Sequence, residues 1–329
     1  MMADTTFKVL ICDALKDILN IECIVNSTNR RMIARAGFDA RLRKKAGKAL
    51  ADECKKHGGL EKNDPIVTSS YELSNYKWII HIYLSDWDSS KKDGSRKKYY
   101  EAYQSILEKA KTNNIKSIVL PPLGMKYRKV PDSEGVRLAV KSVVEYVRNN
   151  PFAFDCIAFA TNDSSEAKAR MYCHELDNLA IDFDYRNLSW ERHCKENNIE
   201  VLPLLEDSEM SKSLIDEINF FFIITLRKLA EEYGISEEQA IEYSKILLEK
   251  LKEIGFTYDN LVGIIEILPV NPKIKGLLMS VLNEFKTSIS EMLNCFSSNL
   301  DKSLEERFET LIHNVYAYNK ERHSNNKET

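Results

Sequence analysis

Short apolar runs alternate with amphipathic segments through the first 190 residues. FKVLICD from Phe7 and CIVNST from Cys23 have the length and β-branched content of buried strands. FDARLRKKAGKALADECKKH from Phe38 has helical spacing and stops at Gly58-Gly59, a usual helix end. PIVTSS and KWIIHIYL predict strands, KYYEAYQSILEKAKTNN a helix, IKSIVLPPLG a strand and loop, and DSEGVRLAVKSVVEYVRNN a helix. FDCIAFATN and SEAKARMYCHELDNL close the series as strand and helix. Such alternation predicts an α/β fold, a mixed or parallel sheet between helices. Ligands in such folds sit outside the carboxyl ends of the strands, so the residues just after ICD, IVNSTN, VLPPLG and FATND carry the chemical interest.

From about residue 205 no strand pattern recurs. Ser236 and Gln239 make a capping-box signature before AIEYSKILLEKLKEIG. Helical periods continue through IKGLLMSVLNEFKTSISEMLNCF and SLEERFETLIHNVYAY, predicting an all-α domain of four or five helices. Its stripe Leu214, Ile215, Ile218, Phe221 and Phe222 has the spacing of a core or an oligomer seam. The chain is therefore read as an α/β unit over 1–182, a joint over 183–204, an all-α helical domain over 205–318 and a fraying polar tail over 319–329.

Charge sharpens that division. Residues 1–190 hold 31 Lys and Arg against 25 Asp and Glu, while residues 191–329 hold 16 against 25, which assigns any anion-binding task to the first part. Seven scattered Cys without a CxxC pair fit a reducing compartment, not a disulfide frame or zinc site. Cys173-His174 and His193-Cys194 lack metal-ligand spacing, so no metal is expected. The N-terminus MMADTTFKV shows no apolar signal region. FFFIIT from Phe220 is far shorter than the roughly 20 residues of a membrane span. A cytoplasmic protein without membrane contact is the expectation.

The strand ends carry a particular set of groups. Asp13 closes the first predicted strand, and Asn26 and Asn29 the second. Gly37 and Asp39 follow, Asp39 at the start of a helix. Gly124 follows IKSIVLP, and Asn162 and Asp163 follow the last strand. A carboxylate accepts from an adenine amino group, Asn amides bond ribose hydroxyls, and glycines and helix N-termini present N–H groups to a diphosphate. Together they match an ADP-ribose-like ligand better than a peptide or a sugar chain. Taken singly, Asp13 and Asn26 also serve as turn residues, and Asn29 and Asp39 as turn and N-cap residues.

The ordered fragments ICDA, IVNSTN, AGFD, ECKKHGG, WIIHIYL and PPLGMKYRKVP extend this reading. Over residues 7–178 the chain resembles a macro domain, with Asn29 and Asp39 ten residues apart as in that family. The resemblance implies an α/β macro-domain fold followed by the helical domain. It implies that Asp13, with Ala14 beside it, recognises adenine, and that Asn29 touches the ribose nearest a scissile bond. Asp39 then orients or activates water on that ribose in hydrolytic members, and Gly37 and Gly124 lie in the two phosphate loops. The candidate catalytic pair is thus Asn29 and Asp39. The candidate ligand-binding residues are Asp13, Ala14, Asn26, Arg35, Gly37, Gly124, Met125, Lys126, Tyr127 and Asn162. No metal and no cofactor are implied.

The departures bear on function. Ala34, Arg35 and Ala36 replace glycines of the first loop, and Lys126 and Lys129 replace those of the second. Loss of glycine narrows or reshapes a cradle in which backbone approaches phosphate. The new cations offer charge-assisted contacts in exchange, with Arg30, Arg31 and Arg128 nearby. Asn162 stands where many members place an aromatic against adenine. Arg41, Arg43, Lys44 and Lys45 read as a solvated helix face, and His81 as a satisfied core histidine. Tyr127 either stacks on the ligand or covers the loop. Three functions remain. The first is a module that binds ADP-ribose or a related NAD-derived molecule, coupled to a helical domain for oligomerisation, partner binding or output. The second is an ADP-ribosyl hydrolase acting on an ADP-ribosylated macromolecule. The third, a nucleic-acid binder through the basic loops, is opposed by the acidic second half and the lack of a recognised motif.

Overall fold

A computed structural model describes residues 5–34, 36–162, 166–197, 212–298 and 304–327. The chain divides into two compact units, Met1–Ser189 and Trp190–Thr329. In the first, strands β1 (Thr6–Ile11), β2 (Cys23–Thr28), β3 (Ile66–Ser69), β4 (Trp78–Tyr83), β5 (Ser117–Leu120), β6 (Cys156–Thr161) and β7 (Phe183–Asn187) form one sheet. Their order is β3-β4-β2-β5-β6-β1-β7. Only β3 runs antiparallel, against β4; the other pairs are parallel. Val9, Ile11, Val25, Ile80, Val119 and Phe159 have no exposed surface, because helices cover both faces and leave no solvated side. Helices α1 (Gly37–Lys56), α2 (Lys92–Thr112), α3 (Asp132–Asn149) and α4 (Glu166–Asn178) connect the strands. The parallel strands deliver the ends of β1, β2, β5 and β6 to one edge, where the candidate residues lie.

Two local features differ from the sequence reading. Phe183–Asn187 falls in the stretch read as a joint, yet it pairs with β1 along Phe7–Ile11. Its FDYRN sequence is half-exposed, as an edge strand permits, so it has no apolar run to announce it. The helix α1 is broken at Gly47, whose φ of 81° and ψ of −177° are not helical. A Cβ there would lie 2.1 Å from the Glu72 carboxylate, so the kink is packed shut by that side chain.

Helix α5 (Leu188–Glu196) follows β7 directly. The second unit contributes α6 (Lys212–Tyr233), α7 (Glu237–Ile254), α8 (Tyr258–Ile267), α9 (Pro272–Glu284), α10 (Lys286–Ser298) and α11 (Leu304–Lys327). These six among the described residues exceed the four or five expected, because Tyr258–Ile267 is a helix of its own and IKGLLMSVLNEFKTSISEMLNCF divides into α9 and α10 at Phe285; α11 also runs as helix through the stretch read as a tail. Ser236 and Gln239 form the expected capping box on α7. The side chains of Leu214 and Ile215 lie outside the described residues. Ile218 is buried, and Phe221 meets Phe222 edge-on at 4.9 Å and Phe285 at 5.8 Å. Among the described residues no helix is long and apolar enough to cross a membrane.

Candidate functional site

The first helical turn after β2 builds the centre of the site. Asn26 and Thr28 are two residues apart on β2 and so share a face. Both reach Asp39, in the first turn of α1. Asn26 Nδ2 donates to Asp39 Oδ1 at 2.7 Å and Thr28 Oγ1 to Asp39 Oδ2 at 2.8 Å. Arg43, one turn further on, donates from Nε to Asp39 Oδ1 at 2.8 Å. Asp39 and Arg43 are both only 9% exposed. Burial works against the Arg43 charge. The Asp39 charge, with hydrogen bonds to Asp39 and Cys54, outweighs it and holds the guanidinium above its ordinary pKa.

A carboxylate only accepts, so Asn26 must turn its NH2 to Asp39. The same NH2 lies 3.2 Å from His81 Nδ1, which therefore accepts. The imidazole proton then sits on Nε2 and points to Thr68 Oγ1 at 3.0 Å, whose hydroxyl donates to the Ser69 carbonyl at 3.1 Å. Burial, with the Arg43 and His57 charges, pushes His81 down to about 3, so it stays neutral. The cluster leaves Asn26 Oδ1 and Arg43 Nη2 without hydrogen-bond partners.

Several expectations change against this geometry. Asn26 is fully buried, and its amide sets Asp39 in place instead of facing a ligand. Asp39 is not the N-cap of α1; that position is Ala36, which makes no side-chain cap. Arg43 leaves the solvated face for the interior, because positions 39 and 43 are one helical turn apart and point the same way. That i,i+4 acid–base spacing was the signal for it. Thr28 and Arg43 are the residues the sequence reading missed.

Asn29 bonds its own loop. Its Oδ1 accepts from the N–H groups of Arg31 at 3.1 Å and Ile33 at 3.2 Å, while its Nδ2 donates to the Ile33 carbonyl. Asp13 Oδ1 accepts from the Leu15 N–H at 3.1 Å. Its Oδ2 lies 3.7 Å from Arg41 Nη1 and 3.8 Å from Lys16 Nζ. Ala14 is buried, and its carbonyl accepts the Tyr76 hydroxyl at 2.6 Å. Asn162 is exposed at the end of β6. Arg35 and Asp163 lie outside the described residues.

The two loops read as phosphate loops meet at Tyr127. Gly37 has φ +68°, and a Cβ there would stand 2.7 Å from the Tyr127 hydroxyl oxygen, so the ring lies against the glycine. With 60% of its surface exposed, Tyr127 covers the loop from outside. Gly124 keeps φ +70°, and Lys129 adopts +57° although it replaces a glycine, so the second loop retains a glycine-like backbone turn. The Met125 side chain turns inward and packs against Gly135 of α3. Arg128 pairs with Asp86 at 2.9 Å and lies over the Tyr83 ring at 5.0 Å. Lys126 is exposed, its Nζ 5.6 Å from the Tyr127 centroid.

Comparison with known proteins adds four findings. A Macro domain family model matches residues 25–139. A macro domain-containing protein of Methanosarcina mazei is 30% identical over 132 residues, which are 40% of this chain and 70% of that protein. The O-acetyl-ADP-ribose deacetylase of Salmonella gallinarum is 26% identical over 162 residues, 48% of this chain and 88% of that protein. Among solved structures, an Oceanobacillus iheyensis macrodomain variant with ADPR aligns at 21% identity and a TM-score of 0.49. It covers 55% of this chain and 96% of that one.

Proposed function

This chain belongs to the macro-domain family, and from that we propose that its first unit binds ADP-ribose or a related NAD-derived nucleotide and holds it without cleaving it. One observation carries the second half of that statement. The Asp39 carboxylate is committed to three protein donors, one of them the Arg43 guanidinium. The Asn29 amide is spent on its own loop as well. Binding is supported by the second loop, where Gly124 and Lys129 hold positive φ beside exposed Lys126. Phosphate oxygens there meet a point charge and turned backbone together. The second unit would serve oligomerisation, partner binding or signal output. A cytoplasmic setting agrees with the six described cysteines, all free.

The second reading is hydrolysis of an ADP-ribosyl linkage. The ten-residue spacing of Asn29 and Asp39 favours it, as does a relative that is named as a deacetylase of an ADP-ribose derivative. Nucleic-acid binding loses support, since Arg30 and Arg128 of the basic loops already pair with Glu61 and Asp86.

Titration calorimetry with ADP-ribose, followed by incubation with a mono-ADP-ribosylated protein, tests the proposal. Saturable binding without release of ADP-ribose is expected. Absence of heat at about millimolar ligand, where even a weak complex of roughly −4 kcal/mol registers, would overturn the binding claim. Release of ADP-ribose by the unmodified chain would establish the hydrolase.

A further inference from the structure

We propose that Arg43 is the positioning residue that confines this pocket to binding, by holding Asp39 as an ion-paired structural carboxylate; the inference rests on the reading that the pocket takes an ADP-ribosyl ligand. Three features single out Arg43. Its Nε shares Asp39 Oδ1 with the Asn26 amide, so that oxygen faces two protein donors at 2.8 and 2.7 Å. Its charge is kept inside the protein, paired with a carboxylate that is itself nearly buried. Its Nη2 meets no acceptor among the described residues, and its Nε is held by Asp39 Oδ1.

A carboxylate has about four lone-pair positions, and here three are occupied by Asn26, Thr28 and Arg43. Asn26 and Thr28 are neutral donors that fix the orientation of Asp39. Arg43 alone adds a counter-charge. A neutral side chain at position 43 would leave the orientation intact while freeing Asp39 from its cation. Asp39 could then take a proton from a water molecule at the ligand. The water oxygen would add to the anomeric carbon of an ADP-ribosylated glutamate. The bond from that carbon to the glutamate oxygen would break, with its electron pair going to that oxygen. The proton taken by Asp39 would return to solvent, leaving ADP-ribose and a free carboxylate.

The test compares wild type, Arg43→Gln, and Arg43→Gln combined with Asp39→Asn. Thermal unfolding, calorimetric affinity for ADP-ribose and release of ADP-ribose from a glutamate-modified protein are measured for each. Arg43→Gln is expected to bind within about threefold of wild type and to release ADP-ribose at least about tenfold faster, a modest share of what a positioned acid–base group contributes. The double variant is expected to fold, bind and release no more than wild type, which a purely structural role of Arg43 does not produce. If Arg43→Gln folds and binds but releases at the wild-type rate, the Arg43 proposal is overturned while the binding module stands. If wild type already releases ADP-ribose, the proposal also falls, in favour of the hydrolase. Failure of wild type to bind ADP-ribose removes both. Should Arg43→Gln not fold, Arg43→Met goes through the same assays, its unbranched side chain filling the space of the arginine stem without a charge. Release equal to wild type in that variant overturns the proposal.

Discussion

At the scale of single residues, the site is a set of neutral donors arranged around one buried charge pair. His81 belongs to it at a distance, through Asn26. Its folded pKa is about 3, against an ordinary value of 6.5. Between those values the unfolded chain holds a proton on this imidazole and the folded chain does not. Stability therefore rises with pH across that range, is complete above about 6.5, and is progressively lost on acidification toward about 3. His81→Gln removes this contribution while leaving every carboxylate in place. Urea denaturation of both proteins from pH 7 to pH 5 is expected to show the wild type losing stability faster. Parallel curves would mean that His81 is not the source. The residue types of the site were legible from their places at strand ends. Their division of labour was not. Whether an Asn faces a ligand or a carboxylate depends on the side to which the neighbouring helix turns. The Arg43 side chain follows Asp39 inward although it sits among Arg41, Lys44 and Lys45, which stay exposed.

At the scale of elements, legibility follows burial. Strands covered on both faces carry short apolar runs, IVL in β5 and IAFA in β6, and the sequence shows them plainly. The edge strand β7 needs only one paired side, so FDYRN looks like a connection. The kink in α1 hides for another reason: a lone Gly inside a helical pattern is ordinarily tolerated, and only the backbone, with φ +81° at Gly47, reveals why glycine is required there. Caps are the opposite case, since their chemistry is local. Ser236 accepts from the Gln239 N–H at 3.3 Å, and the Gln239 side chain accepts from the Ser236 N–H at 3.0 Å. Ser236→Ala should cost about 1 kcal/mol of stability, the usual value of an N-cap hydroxyl. Urea unfolding followed by helical circular dichroism measures it, and an unchanged midpoint would show that the box contributes nothing to the second unit.

At the scale of the whole molecule, the question is where the ligand-binding unit ends. The sequence pattern places the limit at 182, before a polar stretch. The compact unit runs to Ser189. Five residues of β1, Phe7 to Ile11, pair with β7, and Leu188 packs against the apolar cluster that contains Leu10, Leu15 and Leu42. A segment ending at 182 would leave β1 as an open edge rich in apolar side chains, the kind of edge that recruits other chains. It would also lose the Leu188 contact. The segment 1–189 keeps both. The expected outcome is that 1–189 unfolds in one cooperative urea transition, stays monomeric and binds ADP-ribose as the full chain does. The segment 1–182 should unfold at lower urea and aggregate at concentrations where 1–189 is clear. Light scattering and calorimetry on the two decide the matter. Equal midpoints and equal binding would mean that β7 is an appendage to the sheet and not part of what holds it together. If the longer segment folds but fails to bind while the full chain binds, the acidic second unit contributes to recognition, and the pocket is not self-sufficient in the first.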